Sequence, residues 1–138
     1  MYRNILVGYD GSEQGRKAFG TALELARRDD ATLHVVAVAR PPEIGDDVES
    51  EAVIENSLAY HRELLDGLKS EARSKQVRVR FEVAVGHPAE QIVYAADRCG
   101  ADLVVVGDRG RSKVAKLLLG SVSKHVTEHA GRPVLVVR

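Results

Sequence analysis

Apolar residues follow two rhythms along this chain. Short unbroken runs of strand length alternate with stretches in which apolar positions recur every three or four residues. Ile5, Leu6 and Val7 form the first run, which ends in Gly8, Tyr9, Asp10, Gly11 and Ser12. Ser12 is placed to cap a helix over Glu13 to Arg28 that sets Ala18, Phe19, Ala22, Leu23 and Ala26 on one face. Leu33 to Ala39 is the second run. Arg40 and two prolines then lead into an acidic stretch, Pro41 to Glu55, with no basic residue, whose first half reads as a mobile surface loop. A long helix follows, about Val48 to Lys75, with Ile54, Leu58, His61, Leu65, Leu68 and Ala72 stepping down one face.

The third run differs in kind. Val77, Val79, Phe81, Val83 and Val85 alternate with Arg78, Arg80, Glu82 and Ala84, as in a strand with one buried face, which belongs near a sheet edge. Gly86-His87-Pro88 turns the chain into a helix with proline first and Ala89, Ile92, Val93 and Ala96 as its stripe; His87 is placed to cap it. Leu103 to Val106 is apolar at every position, as a strand covered on both faces would be. A glycine-interrupted basic segment and one more helix come next. Gly131-Arg132-Pro133 then introduces Val134 to Val137, a fifth strand.

Alternating strands and helices predict an α/β fold. The expected architecture is one domain over residues 1–138, a single open five-stranded parallel sheet with helices on both faces, Rossmann-like. Strand order 3-2-1-4-5 puts the one-sided third strand at an edge and the fully apolar first and fourth at the centre. That order opens a crevice between the C-terminal ends of strands 1 and 4, where Asp10 and Gly107 stand, and open α/β sheets bind ligands there.

Composition narrows the partners. The chain has 138 residues, and Lys plus Arg equals Asp plus Glu at 20 each, so no bulk charge draws it to nucleic acid or an acidic membrane. Cys99 is the single cysteine, excluding an intrachain disulfide and a multi-thiolate metal site. The apolar run at the start is too short for a signal peptide, and no stretch approaches membrane-spanning length, so a cytoplasmic location is expected.

Against that neutral background the stretch Val104 to Val126 is unusual. Gly107, two residues, Gly110, nine residues, then Gly120-Ser121 place backbone without β-carbons around a helix start, and Arg109, Arg111, Lys113, Lys116 and Lys124 have no acid among them from Arg109 onward. A helix start carries roughly half a positive charge and orphan amides, which favours phosphate. The same glycines also suit plain loop punctuation, and the basic residues a solvated face. A carboxylate at Asp10 repels triphosphate but accepts from a sugar diol, so it belongs at a ribose; its other reading is a helix-entry turn. Micromolar binding needs about 8 kcal/mol, of which a helix end contributes at most roughly 2. The whole constellation is required.

From VGYDGS through GHPAEQIV to GDRG, nine residues, GSVSKHV and the closing RPVLVV, the sequence resembles the universal stress protein family over essentially its whole length. The resemblance to the family's nucleotide-binding branch implies that Gly107 and Gly110 allow close backbone approach to the phosphates of ATP. It implies that Gly120, Ser121, Val122 and Ser123 offer amides and hydroxyls to them, with Arg109 either on phosphate or in solvent. Asp10 matches the ribose-binding acid, and Val38 the position whose backbone reads adenine. Asp108 departs from the pattern, where relatives often carry a neutral or basic residue: aimed at phosphate it repels, aimed outward or bridged by Mg²⁺ it does no harm.

Other chemistry is poorly supported. His125 and His129 have a metal pair's spacing without a third ligand and read as surface histidines; His61 reads as a core or interface residue. There is no P-loop, no Gly-x-Gly-x-x-Gly and no Gly-x-Ser-x-Gly, and neither a catalytic nucleophile nor a base is identified, so an enzyme is not expected beyond slow ATP hydrolysis. The apolar strand Val134 to Val137 at a sheet edge needs cover, and the family's dimers imply that a second copy supplies it. Two readings lead: an ATP-binding regulatory or stress-response module, with or without Mg²⁺, and a dimeric protein-interaction module of the same family that binds no ATP. A phosphotransferase is a distant third.

Overall fold

Each apolar run forms a strand and each three-four repeat a helix. In chain order these are β1 (Asn4–Gly8), α1 (Glu13–Asp29), β2 (Thr32–Ala39), α2 (Val48–Ser74), β3 (Arg78–Val85), α3 (Pro88–Cys99), β4 (Leu103–Gly107), α4 (Ser121–His129) and β5 (Val134–Val137). The computed structural model describes residues 1–41, 48–109 and 119–138. The first half of the acidic stretch and Gly110, Arg111, Lys113 and Lys116 lie outside the described residues.

The sheet is parallel and ordered β3-β2-β1-β4-β5, as the alternation predicts. Successive side chains of the two central strands enter opposite layers. Ile5, Val7, Leu103 and Val105 join α1 and α2 in one apolar cluster, while Leu6, Val104 and Val106 join α3 and α4 in the other. β3 lies at the edge, with Val79, Phe81 and Val83 half-buried and Arg78, Arg80 and Glu82 exposed. β5 forms the opposite edge, and its four residues are all half-buried. Among the described residues no helix is long and apolar enough to cross a membrane.

The helix entries show local chemistry. Ser12 caps α1, its Oγ accepting from Gly15 N–H at 3.0 Å. Pro88 opens α3 as expected, but His87 at the N-cap makes no side-chain capping bond. β1 ends at Gly8, so Asp10 lies two residues past the strand rather than at its end.

α2 is much longer than the strands it covers. Its 27 residues span about 40 Å at ~1.5 Å per residue, while the 8 residues of β2 span about 26 Å. The C-terminal half is buried through Leu65, Leu68 and Ala72, whereas Ile54, Leu58 and His61 are only half-buried. The helix therefore overhangs the C-terminal end of the sheet.

His34 on β2 gives a pH signature. Burial first, and then Arg80 across the register on β3, lower its pKa from the ordinary 6.5, with Glu82 partly offsetting them; its Nε2 lies 3.2 Å from Asn4 Oδ1. A pKa lower in the folded than the unfolded chain means that the unfolded chain binds more protons as pH falls below 6.5. Stability is thus complete above that value and declines as pH falls from it toward the folded pKa. Urea melts of His34→Gln are expected to show a shallower loss between neutral pH and pH ~5 than the parent; an unchanged slope would assign the decline to other groups.

Candidate nucleotide-binding cleft

A cleft of about 800 Å³ opens at the C-terminal end of the sheet, where the chain winds one way from β1 and the other from β4. That is the size of a ligand pocket and the place where open α/β sheets hold ligands. Asp10, Val38, Gly107, Arg109, Gly120, Ser121, Val122 and Ser123 all line it. Of the nine residues expected there, Gly110 alone lies outside the described residues.

Asp10 is held by its own turn. Ser12 N–H donates to Asp10 Oδ1 at 2.9 Å, so the helix-entry role is real. A β-carbon on Gly15 would come within 2.8 Å of that same oxygen, so the first turn of α1 leaves room for the carboxylate only because position 15 is glycine. Oδ2 makes no bond among the described residues, which leaves one carboxylate oxygen for a hydroxyl donor. The two readings of Asp10 are therefore compatible.

Val38 contributes backbone. The last rung between β1 and β2 is Tyr9 N–H donating to Val36 C=O at 2.9 Å, while Ala39 C=O accepts on the other side from Gly86 N–H at 2.9 Å. Alternation turns the N–H and C=O of Val38 toward the β1 side, beyond the point where β1 has ended. A donor and an acceptor thus stand side by side at the open end of the sheet.

The opposite wall is the start of α4, where the structure corrects part of the expected donor set. Gly120 N–H is already spent on Asp108 C=O at 2.7 Å. Ser123 Oγ is buried and lies 3.0 Å from both Asp108 O and Gly120 O, so its hydroxyl faces inward rather than offering itself to a ligand. The first helical bond is Lys124 N–H to Gly120 C=O at 3.0 Å. The amides of Ser121, Val122 and Ser123 precede it and have no helical partner, and no side chain at Gly120 caps them. Ser121 is exposed and Val122 half-buried.

Gly107 is the second correction. A β-carbon there would lie 2.9 Å from the carbonyl carbon of Gln14 and 3.0 Å from its oxygen. The close approach that this glycine permits is to the first turn of α1, not to a ligand. Asp108 turns away from the cleft and is not among its lining residues. Its side chain is buried, with Oδ1 unpaired and Oδ2 3.9 Å from Arg109 Nε. Its backbone ties three elements, N–H to Val137 C=O at 2.8 Å and C=O to Gly120 and Ser123.

Arg40, Ser57, His61, Pro88 and Ile92 also line the cleft. His61 is thus a wall of the site rather than a core residue, and the signal for it was the length of its helix against the strand beneath. His125 and His129 stack at 4.1 Å between ring centroids, and among the described residues no group of three or more His, Cys, Asp or Glu is placed to hold a metal ion.

A model of the universal stress protein family matches residues 1–138. Universal stress protein YxiE of Bacillus subtilis is 32% identical over 153 residues, covering 100% of both chains. Among solved structures, the universal stress protein UspA from Lactobacillus plantarum superposes with a TM-score of 0.91 at 24% identity over 99% of this chain and 98% of its own, a likeness of fold. A universal stress protein in complex with cAMP is 28% identical with a TM-score of 0.75, covering 99% of this chain and 97% of that one. With its whole length matched and a relative of that identity aligned end to end, the chain belongs to the universal stress protein family.

Proposed function

We propose that this chain is an ATP-binding universal stress protein, a cytoplasmic, nucleotide-responsive regulatory module that is not an enzyme beyond slow ATP hydrolysis. One observation carries the reading: an oxygen for a sugar diol at Asp10, a strand-end donor and acceptor at Val38, and unpaired amides at Ser121 to Ser123 open into the same cleft. They lie in the order in which an adenine nucleotide presents its base, ribose and phosphates, running across β2, β1 and β4. A relative of the same fold that takes cAMP supports an adenine nucleotide as the ligand class. Arg109, the described cation on the cleft wall beside α4, adds charge for phosphate, with or without Mg²⁺.

The dimer belongs to the same proposal. β5 leaves an apolar edge half-covered, and a second copy paired along Val134 to Val137 about a twofold axis would complete it. The alternative, a dimeric interaction module without ATP, draws on the loss of Gly120 N–H and Ser123 Oγ from the donor set.

Releasing small molecules from purified protein for mass spectrometry, with a parallel ATP–Mg²⁺ titration, separates the two. Bound adenine nucleotide or saturable binding is expected; nucleotide-free protein that also ignores added ATP would favour the alternative, and rapid turnover would reinstate an enzyme. Sedimentation of the same sample at micromolar concentration should show a dimer, and a monomer would remove that part.

A further inference from the structure

The cleft wall opposite α4 has a polar group outside the family motif. The overhanging half of α2 brings His61 to the cleft, and Leu64 of the same helix packs over the Gly11 turn, where a β-carbon would lie 3.1 Å from Leu64 Cδ2. α2 packs against β2 and β3, on the side of the crevice away from β4. His61 therefore stands at the end where Val38 presents its backbone, far from the amides suited to phosphate.

The ring's protonation pattern follows from one contact. His61 Nδ1 lies 2.7 Å from Ser57 C=O, and a carbonyl oxygen only accepts, so Nδ1 carries the proton. In the neutral ring Nε2 then holds a lone pair. The edge of the ring is further fixed by Tyr60, whose ring meets it at 88° and 5.2 Å between centroids. A half-buried, oriented acceptor at the base end of a cleft selects a ligand that offers a donor there.

Building on the nucleotide reading, we propose that His61 is a specificity-determining residue, accepting through Nε2 a hydrogen bond from the exocyclic amino group of a 6-aminopurine. That amino group has two hydrogens. Val38 C=O is placed to take one, and His61 takes the other, so both are satisfied inside the cleft. A 6-oxopurine instead turns an oxygen toward two acceptors and is rejected.

Calorimetric titration of the full chain with ATP and with inosine triphosphate tests this, comparing the parent with His61→Leu and His61→Gln. The parent should prefer ATP. His61→Leu should narrow that preference about tenfold, chiefly through weaker ATP binding, since one buried donor loses its acceptor. His61→Gln, whose amide turns either an oxygen or an NH₂ to the base, should recover ATP affinity while binding the inosine nucleotide better than the parent does. Variants whose two affinities move together, leaving the ratio at the parent's value, would show that His61 shapes the cleft without reading the base. Should His61→Leu fail to fold, the ratio in His61→Gln decides alone. A parent protein that binds neither nucleotide would overturn the nucleotide reading itself, and this inference with it.

Discussion

Replacing Gly120 by aspartate is expected to abolish ATP binding, by about 100-fold or more, while leaving stability unchanged or slightly raised. Gly120 is the N-cap of α4, at φ −63° and ψ 159°, a conformation open to any L-residue. An N-cap side chain lies over the amides of the second and third helical residues, here Val122 and Ser123. A carboxylate there would accept the bonds that the cleft reserves for phosphate and would add a negative charge beside them. It would be a tethered competitor, always at high local concentration. Aspartate exceeds glycine as an N-cap by only a few tenths of a kcal/mol, and the helix dipole adds up to about 1, so the melting temperature should hold or rise. Gly120→Val separates sterics from charge: it should also block binding but bring no capping gain. Calorimetry with ATP and thermal melts of all three proteins read both axes. Undiminished affinity in Gly120→Asp would show that phosphate does not use the start of α4; a large drop in stability would show that Gly120 has packing to protect.

Much of this arrangement was legible before any coordinates. The one-sided alternation of β3 and the uninterrupted apolar runs of β1 and β4 are direct consequences of burial on one face or two, so the strand order and the position of the crevice followed from patterning alone. Asp10 and Val38 were placed by the same logic, since a crevice at the switch point is lined by whatever ends strands 1 and 2. What patterning does not carry is the destination of individual loop hydrogen bonds. Gly120 N–H and Ser123 Oγ both resolve on Asp108, fifteen residues from Ser123, because the turn after β4 folds back onto the start of α4. His61 was hidden for a different reason. It continues an apolar stripe in perfect helical register, and only the mismatch between a 27-residue helix and an 8-residue strand reveals that this part of the stripe has left the sheet.

Gly107 marks the same limit most sharply, and its substitution is expected to have the largest effect on stability. A conserved-looking glycine spacing says that a β-carbon is excluded without saying what excludes it. Here the obstacle is the backbone of Gln14 at 2.9 Å, which no rotamer change can relieve. Gly107→Ala must push β4 and the first turn of α1 apart, and an overpacked core position of this kind costs about 1–3 kcal/mol. Gly107→Val should cost more, because two further methyl groups enter the same gap. The neighbouring rungs make the damage spread: Gly107 pairs with Val137, and Asp108 N–H bonds Val137 C=O at 2.8 Å, so the β4–β5 edge loosens with it. Binding should fall as well, since the displaced turn of α1 contains Gly15 and with it the space for the Asp10 carboxylate. Gly20→Ala supplies the contrast on the same helix. Its β-carbon would meet nothing within 4 Å, so it should instead gain about 0.5–1 kcal/mol from reduced backbone entropy in the unfolded chain. Urea denaturation of the three proteins measures both signs at once. A Gly107→Ala protein as stable as the parent would mean that α1 can retreat from β4 without penalty, and the glycine would then have to be explained by the ligand after all.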